Sequence, residues 1–186
     1  MSELLEAVYA GDEARVAALL AEDPDLDVFE AAALGHTERV SALLDDEPEL
    51  ASAWAADGFT PLHLAAFFRH PDTARLLMER GAPVDVVARH ETIQVTPLQS
   101  AVAAGEGETA ALLLERGADP NARHGGGFTP FHEAARVGDE ATVELFLRHG
   151  ADARLAADDG RTAVDFARQA GHDRVADRLA ASSRLK

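Results

Sequence analysis

Cysteine is absent, which excludes disulfides and cysteine-based zinc sites and says little about compartment. Lysine is nearly absent too: Lys186 stands alone against sixteen arginines, a usage we read as GC-rich genome composition rather than function. Aromatics are few, with one Trp, one Tyr and eight Phe, so their positions carry information. No run approaches the ~18 consecutive apolar residues of a membrane-spanning helix, and none is expected. The start, MSELLEAVYAGDE, is acidic and lacks the basic opening and apolar core of a secretory leader. Basic charge is short as well. A net charge of −16 argues against general nucleic-acid binding. These shortages lead us to expect a cytoplasmic protein with neither nucleic-acid nor membrane partners.

What is present is repetition. Thr60-Pro61-Leu62-His63 returns as Thr96-Pro97-Leu98-Gln99, Thr129-Pro130-Phe131-His132 and Thr162-Ala163-Val164-Asp165, at spacings of 36, 33 and 33 residues. A Thr hydroxyl can cap free amides and Pro tolerates the first helical position, so each copy reads as a helix start. In the clearest unit Leu62, Leu64, Ala65 and Ala66 supply a buried face, and Arg69-His70-Pro71 breaks the helix. A second helix follows with Ala74, Leu76, Leu77 and Met78 inward. Gly81-Ala82 ends it, and Gly117-Ala118 and Gly150-Ala151 repeat the stop. Such a helix pair cannot bury its own apolar face and needs copies of itself.

A period near 33 with a T-P-L-H-x-A core resembles the ankyrin repeat, of bacterial type, and the resemblance covers nearly the whole chain, most securely residues 55–181. It implies an all-α solenoid of stacked antiparallel helix pairs with hairpin-like turns, about six units including atypical end caps. We read one domain over residues 1–186. It divides into a cap unit at 1–26, an atypical unit at 27–53, and repeats at 54–88, 89–123 and 124–155. A C-terminal cap unit follows at 156–182.

Helical segments are expected at 3–10, 13–21, 29–34 and 38–46 in the first two units. The interval from Gly11 to Gly35 is only 24 residues, so their connection should lack a projecting hairpin. Gly81 to Thr96 spans 15 residues where Gly117 to Thr129 spans 12, which gives the fourth unit a hairpin enlarged by three residues. The polar Ser182-Ser183-Arg184 suits a C-terminal cap with a frayed end.

Chemistry is hard to find. The resemblance gives His63 and His132 a structural role, tying neighbouring turns, and puts His36, His70 and His172 at inter-helix turns. His149 sits at a helix end, where a cation suits the dipole. Gly125-Gly126-Gly127 lacks the ending and preceding strand of a phosphate loop. No Ser, His and acid set converges, so we expect no catalytic residues, no metal and no cofactor.

In ankyrin-like stacks partners dock along a concave groove of hairpins and first helices. Phase assigns Tyr9, Ala33, Phe67, Phe68, Ala103, Arg136 and Arg168 to positions before the inter-helix turns. Phe59, Val95, Phe128 and Arg161 precede the Thr positions, and Trp54, Asp57, Arg89, His90, Arg123, His124 and Asp158 belong to hairpins. Aromatics and Arg dominate interface hot spots. The candidate contact set is therefore Trp54, Phe59, Phe67, Phe68, Arg89, His90, Arg123, His124, Phe128, Arg136, Arg161 and Arg168. Whether Phe67, Phe68 and Trp54 line the groove or pack between repeats stays open at this point. The groove is expected to be acidic first, since residues 1–53 hold fourteen acids and two arginines, then aromatic, then basic. The favoured reading is a non-catalytic, monomeric interaction module for a protein or peptide. An architectural or self-associating scaffold and an enzyme or metal-dependent protein on a repeat scaffold are the alternatives.

Overall fold

The structure is a computed structural model and describes residues 1–182; Ser183 and Arg184 of the polar end lie outside them. Among the described residues there are twelve α-helices and no strand. In chain order they are α1 (Glu3–Ala10), α2 (Glu13–Leu20), α3 (Val28–Leu34), α4 (Thr37–Asp46), α5 (Pro61–Phe67), α6 (Pro71–Glu79), α7 (Pro97–Ala103), α8 (Gly107–Glu115), α9 (Pro130–Val137), α10 (Glu140–Arg148), α11 (Ala163–Gln169) and α12 (Asp173–Ser182). Helices this short are not stable alone in water, so packing must hold them. Each odd-numbered helix touches the next, forming an inner row from α1 to α11, and α4, α6, α8 and α10 form an outer row. The result is an all-helical solenoid of six helix pairs.

The recurrent Thr-Pro starts its helix by reciprocal capping. Thr60 Oγ1 accepts from the His63 amide while His63 Nδ1 accepts from the Thr60 amide, at 3.4 and 3.3 Å. Thr129 and His132 repeat this at 3.2 and 3.1 Å. Gln99 serves as well as His, because its Oε1 accepts from the Thr96 amide at 3.1 Å. In the last unit Asp165 Oδ2 accepts from the Thr162 amide at 2.9 Å. Each imidazole does one thing more. With Nδ1 accepting, the Nε2 proton goes to the next connection, to Val95 O at 3.0 Å and Leu155 O at 2.9 Å. This fixes one unit's helix to the following hairpin. Burial holds both rings neutral, pushing His63 down to about 4 and His132 down in the same direction.

The turn inside each pair requires a left-handed residue. Gly35 takes it at φ +72°, and a Cβ there would also strike the His70 ring at 2.4 Å. His70 fills that space and donates from Nε2 to Ala33 O at 3.0 Å, closing units two and three together. Arg69 holds the same left-handed turn in the third unit at φ +66°. For a side chain with a Cβ this costs about 1–2 kcal/mol.

Closure of the hairpins explains the spacing anomaly. The amides of Ala55, His124 and Ala157 donate to the carbonyls of Phe59, Phe128 and Arg161 at 2.8–2.9 Å, each enclosing three residues. In the enlarged hairpin Ala88 donates to Val95 O at 2.8 Å and encloses six. Residues 21–27, by contrast, form no hairpin, and a 3₁₀ turn at Pro48–Ser52 opens the second connection. The core runs unbroken along the stack through Leu62, Leu77, Leu98, Leu113, Phe131 and Phe146. Outside, Arg80–Asp45, Arg116–Glu79 and Arg178–Glu144 bridge consecutive units at 2.7, 3.3 and 2.9 Å. These pairs are exposed and worth about 0–1 kcal/mol each.

Candidate partner-binding surface

Two concavities lie side by side on the face made by inner helices and hairpins. The first, of about 300 Å³, is bounded by Tyr9, Phe59, Leu64, Phe67, Ile93 and Val95. The second, of about 580 Å³, adds Phe128, Glu133, Asp159, Arg161 and Phe166. Ile93, Val95, Gln99 and Ala103 belong to both, so the two form one continuous groove. Its shared floor is low because Ala103 stands where the preceding inner helix has Phe67.

Exposed large apolar side chains are few among the described residues: Met1, Tyr9, Phe67 and Ile93. Three of the four meet at the first concavity. Phe67, the last residue of α5, is 45% exposed. It stands edge-on to Phe68 at 5.2 Å, and Phe68 packs at 5.4 Å against Tyr9. The sequence ambiguity thus divides: Phe67 faces the groove, while Phe68 is half-buried behind it. Tyr9 reaches from α1 to the third unit, donating its hydroxyl to Asp57 Oδ2 at 3.0 Å. Burial, and then the Asp57 carboxylate, push its phenol up.

Ile93 comes from the enlarged hairpin. His90 Nδ1 accepts from the amides of Thr92 and Ile93, both at 3.2 Å, and its ring lies 5.7 Å from that of Phe59. This turn carries Ile93 over the groove, where it is 45% exposed. Ile93 does not appear among the positions that phase selects, because the three extra residues have no counterpart in sibling units. The signal available was a single large apolar residue in the polar run His90-Glu91-Thr92-Ile93-Gln94.

At the far end of this face three of the four arginines expected to make it basic are paired with carboxylates. Arg123 pairs with Asp158 at 3.0 Å, Arg161 with Asp159 at 2.6 Å, and Arg136 with the largely buried Glu133, its Nε at 2.9 Å. Arg161 also lies over the Phe166 ring at 4.4 Å, and Phe128 meets that ring edge-on at 5.0 Å. Other candidate residues lie apart. The Arg89 guanidinium covers Trp54 at 4.0 Å, and Trp54 borders a separate depression with Met1, Leu5 and Phe29. Arg123, His124, Arg136 and Arg168 line neither concavity. His124 is half-buried, and its Nε2 has no hydrogen-bond partner among the described residues. Among those residues no three His, Asp or Glu gather as a metal-ligand set, and no helix is long and apolar enough to cross a membrane.

A family model of ankyrin repeats in three copies matches residues 4–90, 31–124 and 98–185, and the chain belongs to the ankyrin repeat family. Members are in general protein–protein interaction modules and typically not enzymes. No curated protein matches the chain.

Proposed function

We propose that this protein is a non-catalytic interaction module that holds a segment of a partner protein along its concave groove. Convergence of Tyr9, Phe67 and Ile93 on one concavity carries the reading. Apolar side chains left half-exposed are a standing gain for any ligand that covers them. Full burial of a Phe or Ile is worth about 1.5–3 kcal/mol, so completing the half that remains offers about 1 kcal/mol each. The enlarged hairpin supports the same view, since it brings an apolar residue to the groove instead of to the core. Of the sequence candidates, Phe67, Phe59 and Phe128 form the contact surface we favour, with Tyr9 and Ile93 added. Phe68 and His90 hold that surface in place.

Affinity capture with mass spectrometry tests this on three full-length chains: the wild type, Phe67→Ala/Ile93→Ala, and the outer-face control Glu38→Ala. The expected result is a partner set retained by the control and lost from the double variant, whose circular dichroism stays unchanged. Equal capture by all three chains would dismiss the groove.

A further inference from the structure

We infer that the partner segment presents a carboxylate close to its apolar anchor, and that Arg69 is there to receive it; this rests on the groove reading above. The inter-helix turn of the other five units is made by Gly11, Gly35, Gly105, Gly138 and Gly171, all left-handed. Only the third unit puts a side chain there, Arg69 at φ +66°. A bulky residue at positive φ is an outlier, and such outliers persist at functional positions. Glycine would serve the fold better, so the guanidinium is what the substitution adds.

That guanidinium is not used internally. Among the described residues Arg69 has no ion pair or side-chain hydrogen bond, whereas Arg123, Arg136 and Arg161 have carboxylate partners; Arg168 also has none, but it belongs to α11, three units away from Phe67. Arg69 lies two residues beyond Phe67, and its Nη2 is 3.9 Å from where a Cβ on Gly105 would stand. Arg69 lines neither concavity itself, but it reaches from beside the groove toward the end of α7, whose Ala103 floors both. Ala103, Ala104 and Gly105 offer no large side chain to block the approach. An arginine fork binds a carboxylate through two parallel hydrogen bonds, which gives direction as well as attraction. The ligand chemistry is then a large apolar side chain for the concavity of Tyr9, Phe67 and Ile93, with Asp or Glu nearby in the same segment. The overall negative charge favours a basic ligand at long range, so the preference for acid must be local to Arg69.

Selection from a random peptide library displayed on phage, against the full-length chain, distinguishes these demands. Wild type should enrich peptides pairing a large apolar residue with Asp or Glu within a few positions. Arg69→Glu should replace that acid by Lys or Arg while keeping the apolar residue. Arg69→Gly should weaken a selected peptide about tenfold by fluorescence anisotropy. It should also raise the melting temperature by about 2–4 °C, as expected when strain is relieved in a chain of this size. Peptides that pair the apolar residue with a base on wild type, an acid preference unmoved by Arg69→Glu, or no enrichment at all would overturn the proposal. So would an Arg69-dependent dimer in sedimentation, since the cation would then serve a second copy of the chain. Failure of the underlying groove reading looks different: selected peptides would bind Phe67→Ala/Ile93→Ala as tightly as wild type.

Discussion

His63 accepts from the Thr60 amide at Nδ1 and donates at Nε2, so a second ring proton, which only Thr60 Oγ1 at 2.8 Å could accept, would displace that amide and break the reciprocal cap. Its folded value of about 4 lies below the ordinary 6.5, because burial penalises the cation. The unfolded chain therefore binds the proton more readily between these values. Stability contributed by neutral His63 is complete above pH 6.5 and is lost as pH falls toward 4. At pH 4.5 the loss amounts to about 2–3 kcal/mol from this residue. His70, His124 and His132 are shifted in the same direction and add to the slope. His63→Gln borrows the solution already present at Gln99, which caps Thr96 without titrating. Urea midpoints at pH 7 and pH 4.5 should separate by less in His63→Gln than in wild type. An identical pH dependence for the two chains would show that the imidazole does not report its burial.

At the scale of elements, the enlarged hairpin is the part of the scaffold most separable from stability. It encloses six residues where its siblings enclose three, and its tip contributes Ile93 to the groove and little to the core. Deleting residues 91–93 should restore sibling length. Loop closure depends weakly on length, so the melting temperature should stay within about 2 °C of wild type. Affinity for a selected groove peptide should fall about tenfold by anisotropy, reflecting the lost Ile93 contact. A large drop in melting temperature with unchanged affinity would mean the loop props up the stack instead. The length of this hairpin was readable as a spacing, and so were the helix pairs: the expected 3–10 segment is α1 itself, and 13–21 differs from α2 by one residue. Capping and glycine stops are local chemistry, which a sequence carries in full. The groove was readable only in outline. Phase assigns Phe67 and Phe68 to one helix end, but which faces outward depends on Tyr9, two units earlier. It likewise puts Arg123, Arg136 and Arg161 on one face without showing that Asp158, Glu133 and Asp159 neutralise them. Ion pairing depends on rotamers and on neighbouring units, and a repeat register contains neither.

For the whole molecule, a solenoid's stability is a sum of unit and interface terms, and these are unequal along the chain. Helix α2 has no buried residue, and α1 buries only Leu4, Leu5 and Ala7, while α5 is buried at six of its seven positions. The same end carries most of the charge imbalance, with fourteen acids and two arginines in residues 1–53. Self-repulsion there should weaken the first unit further, and salt should relieve it, since the screening length falls from about 10 Å at 0.1 M to about 3 Å at 1 M. The outer ion pairs would be weakened by the same salt, but exposed pairs are worth too little to reverse the sign. Hydrogen exchange followed by mass spectrometry should find α1 and α2 the fastest to exchange, slowing as salt rises, with α5 to α10 slowest. Uniform protection, insensitive to salt, would show that the first unit is held as firmly as the middle. This gradient bears on binding because Tyr9 belongs to α1 yet borders the groove of the third and fourth units. The first concavity is complete only while the least stable unit is docked. A groove ligand must then stabilise that unit, and a selected peptide should slow exchange in α1 more than in α9, although both helices border the same face.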